Sequence, residues 1–294
     1  MGRDLAEAFA EGRATFQEAD EVLGFGLSRL AWDGPEEELT ATHNAQPAIL
    51  VHSIAAYRIA APRLERVDIR FAAGHSLGEF SAYVAAGAMR FGDALRTVRR
   101  RGELMLRSGR ERPGSMAAIL GLDDDAVERV CLEATTDGGD CVAANYNAPG
   151  QIVISGDVPA VERALVLARA AGARRAIRLN VSGAFHSPLM AVAKAGLAAH
   201  LDSLPLEHPR FPVVSNVNAQ AITEPGTARE LLVQQLTAPV RWTACMRTML
   251  DAGVRSFFEF GPGSVLSGLL RRLERAAETH TLGTAAEVRE LLAA

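Results

Sequence analysis

The stretch RFAAGHSLGEFSAYVAAGAM, residues 70–89, sets a serine between two glycines, at Gly74, Ser76 and Gly78. Packing gives no reason for a hydroxyl where an apolar run meets a helix. A nucleophile on a sharp strand-to-helix turn gives one. Small neighbours at Gly74 and Gly78 suit such a turn. The turn lifts the serine oxygen above the sheet. It also aims the Leu77 N–H, at a helix start, into the same space, where that N–H can stabilise an oxyanion. The competing reading is a glycine-flanked turn with an incidental serine. The apolar run before Ser76 and the helical spacing after it favour the nucleophile.

A serine hydroxyl is weak without a base. The chain has seven histidines. His75 adjoins the serine and should point away from it on a sharp turn. His43, His52, His200 and His208 lie in helical or loop segments with no distinctive context. His186 sits in NVSGAFHSPLM, a loop of small residues leading into a helix. A lone histidine is usually a surface or satisfied residue, but the need of Ser76 for a base selects His186. Arg101 lies in RTVRRRGELM, and a charge run is usually a solvated face. At about 100° per residue, Ala94, Val98, Gly102 and Met105 form one apolar stripe. Arg101 falls at its edge, whereas Arg100 faces away. A planar guanidinium at a core edge needs a partner, and it suits a carboxylate bidentately.

These residues need elements to position them. Val67 to Ala73 reads as a short buried strand, and Leu77 to Ala86 and Phe91 to Leu106 as helices. Upstream, residues 3–23 carry helical spacing. A polar loop then leads to a long apolar helix that starts at Gln46-Pro47, where proline is tolerated. The middle changes character. Strands are expected at Ser115 to Leu122, Cys141 to Tyr146, Gln151 to Ser155 and Ala176 to Val181. Helices are expected at Asp123 to Ala134 and Val158 to Ala171, with a turn at Asn147 to Gly150. The order βαββαβ is a ferredoxin-like unit. We expect it as a subdomain of residues 112–182, inserted in a larger α/β body of residues 1–111 and 183–294. After it come helices at Leu189 to Leu201, Ala228 to Leu236 and Trp242 to Ala252. Strands are expected at Val213 to Ser215 and Ser256 to Phe260, before a helical tail.

The chain of 294 residues is 48% hydrophobic and 22% charged, enough for a sizeable core. Its 31 basic and 35 acidic side chains give a net charge of −4, no case for nucleic acid or an anionic membrane. Cys131, Cys141 and Cys245 form no CxxC pair, so neither a zinc site nor a disulfide framework is expected. No apolar run reaches the roughly 18 residues of a membrane span. The charged start MGRDLAEAFAEGR lacks the apolar stretch of a signal peptide. A cytoplasmic protein is expected.

GHSLGE, NYNAPGQIVISG, GAFHSPLM and FEFGPGSVL together resemble the malonyl-CoA:acyl-carrier-protein transacylase family, the acyltransferases of fatty acid and polyketide synthesis. The motifs fall in the family's order over nearly the whole chain. The resemblance implies an α/β-hydrolase-like body with an inserted ferredoxin-like subdomain. It implies malonyl transfer from malonyl-CoA to the phosphopantetheine thiol of an acyl carrier protein, through an acyl-serine, with no metal or resident cofactor. Ser76 would be the nucleophile and His186 its base, oriented by a backbone carbonyl. Arg101 would bind the malonate carboxylate. Leu77 would give the oxyanion donor, and Gln235 would lie near the active site. Phe185, just before the base, would favour malonyl over methylmalonyl. An acidic carrier would dock on basic side chains, with Arg99, Arg100, Arg174, Arg175, Arg271 and Arg272 as candidates.

The family leads us to expect a strand and a Gly/Gln-rich loop, supplying a second oxyanion donor, ahead of the first helix. Residue 1 here stands where that helix begins. Two rivals compete. One is a serine esterase or thioesterase on the same elbow, with His280 or Asp137 as partner. The other is a truncated, non-catalytic acyltransferase relic that acts as a docking module.

Overall fold

The computed structural model describes residues 1–135 and 139–293. The chain opens with helices Arg3–Ala8 and Ala10–Leu23, separated at Phe9, whose backbone is extended. A short helix, Leu27–Asp33, follows where no element was expected, and the polar loop expected from Gly34 holds another, Glu36–Thr40. Leu27, Leu30 and Ala31 lie at helical spacing and are buried. The long apolar helix runs Thr42–Leu64, so it starts four residues before Gln46. Pro47 cannot donate to the carbonyl of His43 one turn earlier. That carbonyl accepts from Arg99 Nη1 instead, at 3.0 Å.

Helix Phe91–Glu111 packs along this helix and runs five residues beyond its expected end. A Cβ on Gly102 would stand 2.5 Å from His43 Cα. Only glycine lets the two helices close to that distance, and this closeness brings Arg101 up to Gln46.

Strand β1 is Ala72–Ala73, far shorter than the expected Val67 to Ala73. Val67 N–H instead closes a turn onto Leu64 O. The middle of the chain holds β2 (Gly114–Leu120), β3 (Cys141–Ala148), β4 (Gln151–Asp157) and β5 (Arg175–Arg178). They form one antiparallel sheet in the order β3-β4-β2-β5. Helices Asp124–Ala134 and Val158–Ala170 intervene, giving βαββαβ. Asn147 and Ala148, expected in a turn, belong to β3. On one sheet face Ala117, Ile119, Ile152 and Ile154 pack against Val127, Val130, Val161 and Leu165 of the helices. On the other, Met116, Ala144 and Val153 pack with Leu179 and Phe185. Phe185 also packs against the core of the body, so it sits at the seam between the two.

In the body, β6 (Val213–Val214) pairs parallel with β1 and antiparallel with β7 (Ala221–Ile222). Strand β8 (Ser256–Glu259) pairs parallel with β9 (Glu278–Thr281). The tail was expected to be wholly helical, so β9 is a correction. Its polar sequence Glu-Thr-His-Thr carries no apolar alternation, and its partner is remote in the chain. Phe80 and Tyr83 of helix Gly78–Ala85 meet Leu50, Ile54, Leu95 and Val98 in the main core beneath β1.

Candidate active site

Ser76 lies between β1 and helix Gly78–Ala85 at a φ of 53°. Among the described residues only Ser76, His186 and Ala219 reach the left-handed region without being glycine. The cost of that conformation for an ordinary side chain is of order 1–3 kcal/mol and must be met by the surroundings. Ser76 and His186 are both held there. A Cβ on Gly74 would fall 1.9 Å from the backbone of Gly78, so Gly74 is required by contact. Gly78 is different. A Cβ there would meet nothing within 4 Å, so packing does not demand the second glycine as the sequence suggested.

Asn216, just past β6, clamps the turn. Its Oδ1 accepts from Ser76 N–H at 2.7 Å, and its Nδ2 donates to Gly74 O at 2.8 Å. The Ser76 N–H is therefore occupied. The Leu77 N–H has no acceptor among the described residues and remains available to a developing oxyanion.

The Ser76 hydroxyl is 2.8 Å from His186 Nε2. His186 Nδ1 lies 2.8 Å from the backbone oxygen of Gln235. A carbonyl only accepts, so Nδ1 carries the hydrogen and the Nε2 lone pair faces the serine. Burial, and then the charge of Arg101, push His186 down to about 3. The imidazole is thus neutral and ready to take a proton across the physiological range.

Arg101 is 1% exposed. Its Nη1 donates to Gln46 Oε1 at 2.7 Å. Its Nη2 donates to Gln235 Oε1 at 2.9 Å and to Ser76 Oγ at 3.0 Å. Nε, on the same edge as Nη2, has no protein partner. Burial brings Arg101 down to about 10, so it stays charged at neutral pH. A buried cation one hydrogen bond from a nucleophile, with a donor unused, can receive an anionic group of an acyl chain.

The Gln235 side chain joins these parts. Its Nε2 donates to Ser76 O at 3.0 Å and to Glu79 Oε2 at 2.7 Å. Oε2 of the fully buried Glu79 also accepts from Asn216 N–H at 3.1 Å. The sequence singled out Ser76, Leu77, Arg101, Phe185, His186 and Gln235, and the fold brings them together. It missed Gln46, Glu79 and Asn216 as parts of the site. Glu79 received no reading of its own although it closes GHSLGE, Gln46 was read only as a helix start, and Asn216 carried no signal at all.

The rival partners lie elsewhere. His75 turns away, as expected, with Nε2 2.8 Å from Asn147 Oδ1 and its ring 5.6 Å from that of Trp242. His280 is exposed on β9, stacked on Phe258. Asp137 lies outside the described residues. Cys131 and Cys141, though ten apart in sequence, bring their sulfurs to 3.8 Å as free buried thiols. Among the described residues no group of three or more His, Cys, Asp or Glu is placed to hold a metal ion.

In sequence and in fold the chain is similar to known proteins. The malonyl CoA-acyl carrier protein transacylase of Bacillus subtilis is 46% identical over 279 residues, covering 95% of this chain and 87% of that protein. The transacylase of the same name from Escherichia coli K12 is 42% identical, covering 93% and 88%. The crystal structure of an acyl-carrier-protein S-malonyltransferase from Bartonella henselae superposes with a TM-score of 0.95 at 40% identity, covering 100% and 94%. A malonyl-transacylase solved in complex with a type II PKS acyl-carrier protein does so equally, with the same score, identity and coverage. The acyl transferase domain model matches residues 1–288. With the elbow, its base and the buried arginine all lying inside that match, the chain belongs to the acyl transferase domain family.

Proposed function

We propose that this chain transfers malonyl from malonyl-CoA to the phosphopantetheine thiol of an acyl carrier protein, in fatty acid or polyketide synthesis. The observation that carries this reading is Arg101 Nη2 standing 3.0 Å from Ser76 Oγ. A buried cation beside the nucleophile favours an acyl group that brings a second anion.

His186 Nε2 takes the serine proton as Oγ attacks the thioester carbon. The Leu77 N–H stabilises the resulting oxyanion. The tetrahedral adduct collapses, the C–S bond breaks, and His186 returns the proton to the CoA sulfur. The malonyl ester then holds its carboxylate against Arg101. The carrier thiol attacks this ester through the same steps in reverse order. Thioester exchange of this kind calls for neither a metal nor a resident cofactor, and CoA enters only as substrate.

Residues 1–111 and 183–294 form the catalytic body in this reading, and residues 112–182 wall its cleft, with Phe185 at the seam. The carrier docks on exposed arginines. Arg174, Arg175, Arg271 and Arg272 are exposed. Arg99 is a weaker candidate, since His43 O, Asn44 and Glu103 already engage it. The cytoplasm is the assigned compartment. Free buried thiols support it, and among the described residues no helix is long and apolar enough to cross a membrane.

Intact-protein mass spectrometry after mixing with malonyl-CoA tests the reading. One malonyl group should be added, and Ser76→Ala should add none. Labelling that persists in Ser76→Ala would refute it. An esterase on the same elbow would instead show hydrolysis without transfer to carrier thiol.

A further inference from the structure

Glu79 takes no part in the steps above, yet it is completely buried. A buried carboxyl is costly unless something satisfies it. Its two oxygens differ. Among the described residues Oε2 accepts from Gln235 Nε2 and from Asn216 N–H, whereas Oε1 accepts no hydrogen bond, with only the Ser215 hydroxyl nearby. A proton can therefore sit on Oε1 without breaking either hydrogen bond. The frame around Ser76 stays the same whether Glu79 is charged or neutral.

The groups that face Glu79 are few. Tyr83 lies on its own helix and Cys245 on helix Trp242–Asp251, and burial and Glu79 push both upward, so both are uncharged. Ser215, Asn216 and Gln235 carry no charge. The cation that acts on it is Arg101 of helix Phe91–Glu111. The Gln235 amide stands between them, with Nε2 on Glu79 and Oε1 on Arg101. In the empty site one buried negative charge thus balances one buried positive charge. A malonyl carboxylate placed on Arg101 adds a second negative charge to the same cation. Two carboxylates sharing one site cannot both ionise freely, and one is driven to hold a proton.

We propose that Glu79 is the counter-charge of Arg101 in the empty site and takes up one proton, on Oε1, when an acyl carboxylate settles on Arg101. This rests on the malonyl-transfer reading and deepens it. Burial already raises Glu79 to about 7 in the empty site, so a modest further push suffices. Glu79 touches neither the substrate nor the reacting atoms. It is a positioning residue whose charge is exchanged for that of the substrate.

The protons balance. Serine gives its proton, through His186, to the CoA sulfur, so acylation itself exchanges none with solvent below the thiol's ordinary value of about 8.5. The proton on Glu79 comes from solvent. Stopped-flow mixing in weak buffer with a pH indicator reads it, and mass spectrometry of the same sample counts acyl-enzyme. At pH 7.5, malonyl-CoA should cause uptake of roughly one half to three quarters of a proton per acyl-enzyme beyond acetyl-CoA, which releases the same thiol without a carboxylate. At pH 6 the difference should nearly vanish, because Glu79 is already protonated. Glu79→Gln, whose Oε1 can accept both hydrogen bonds, should abolish the difference at either pH. Should that variant fail to fold, the malonyl–acetyl comparison and its pH dependence decide alone. A malonyl adduct with no extra uptake at pH 7.5 overturns the proposal and leaves malonyl transfer standing. Equal extra uptake in Glu79→Gln also overturns it. Absence of any adduct overturns both.

Discussion

In the proposed malonyl transfer Arg101 is the residue that selects the acyl group, because it sets a buried positive charge one hydrogen bond from the nucleophile. Gln46 Oε1 and Gln235 Oε1 hold its guanidinium from two sides. A charge-assisted hydrogen bond is worth roughly 1.5–3 kcal/mol, or about ten- to 150-fold. Arg101→Ala should therefore lose that factor in kcat/KM for malonyl-CoA and much less for acetyl-CoA. Equal losses for the two acyl groups would remove Arg101 from substrate binding. Phe185 acts by volume rather than charge. It adjoins the base and packs on both the body core and the Met116–Ala144–Val153 face. In the proposed reading its ring fills the space a 2-methyl branch would need, and one such group is worth only about 1–3 kcal/mol. Phe185→Ser should raise methylmalonyl loading relative to malonyl in direct competition. An unchanged ratio in a folded variant would leave Phe185 as packing alone.

The elbow shows what an element contributes. Gly74 backs directly onto Gly78, and Asn216 ties Gly74 O to Ser76 N–H across 140 residues of chain. Gly74→Ala must push the two backbones apart, displacing Ser76 from His186 and from the Leu77 N–H together. Malonyl loading should fall at least a hundredfold, since the oxyanion donor alone is worth about 10²–10³. Loading within a few-fold of the parent would show that the elbow can shift without loss. Gly78→Ala meets open space and should be far milder in the same assay. This contrast marks what the sequence could convey. The elbow is local, so Ser76 and Leu77 were legible from five residues. Helical phase placed Arg101 at the edge of an apolar stripe, and the resemblance made it a carboxylate ligand. The need of Ser76 for a base pointed to His186, whereas Gln235 came from the resemblance alone. Asn216 and Glu79 stayed hidden, because their roles exist only once β1, β6 and helix Gly78–Ala85 meet. The same holds among the elements. The βαββαβ unit repeats strong local patterns and was read almost strand for strand. Helix Leu27–Asp33 was left unassigned because it is only seven residues long between glycines, and β9 was hidden by its polar sequence.

At the scale of the whole molecule, burying so many polar groups beside one serine links folding to pH. Burial, the largest cause in each case, lowers His52, His75 and His186. Each is pushed towards its neutral form in the fold, while the unfolded chain binds a proton to each below about 6.5. Stability from these three is fully present above that value and is lost as pH falls through it. Glu79 works in the opposite direction. Its folded value of about 7 lies above the unfolded value of 4.5, so its contribution is lost as pH rises from 4.5 towards 7. Three lowered histidines against one raised carboxyl leave the unfolded state with more bound protons between pH 5.5 and 6.5. Lowering the pH from 6.5 to 5.5 therefore costs stability. The melting temperature should fall over that interval. Glu79→Gln removes the opposing slope, so its melting temperature should fall more steeply over the same range. Differential scanning calorimetry at half-unit steps measures both curves. A parent curve that is flat or rises towards pH 5.5 would mean the buried histidines are protonated in the fold, and His186 would then no longer be a free base for Ser76.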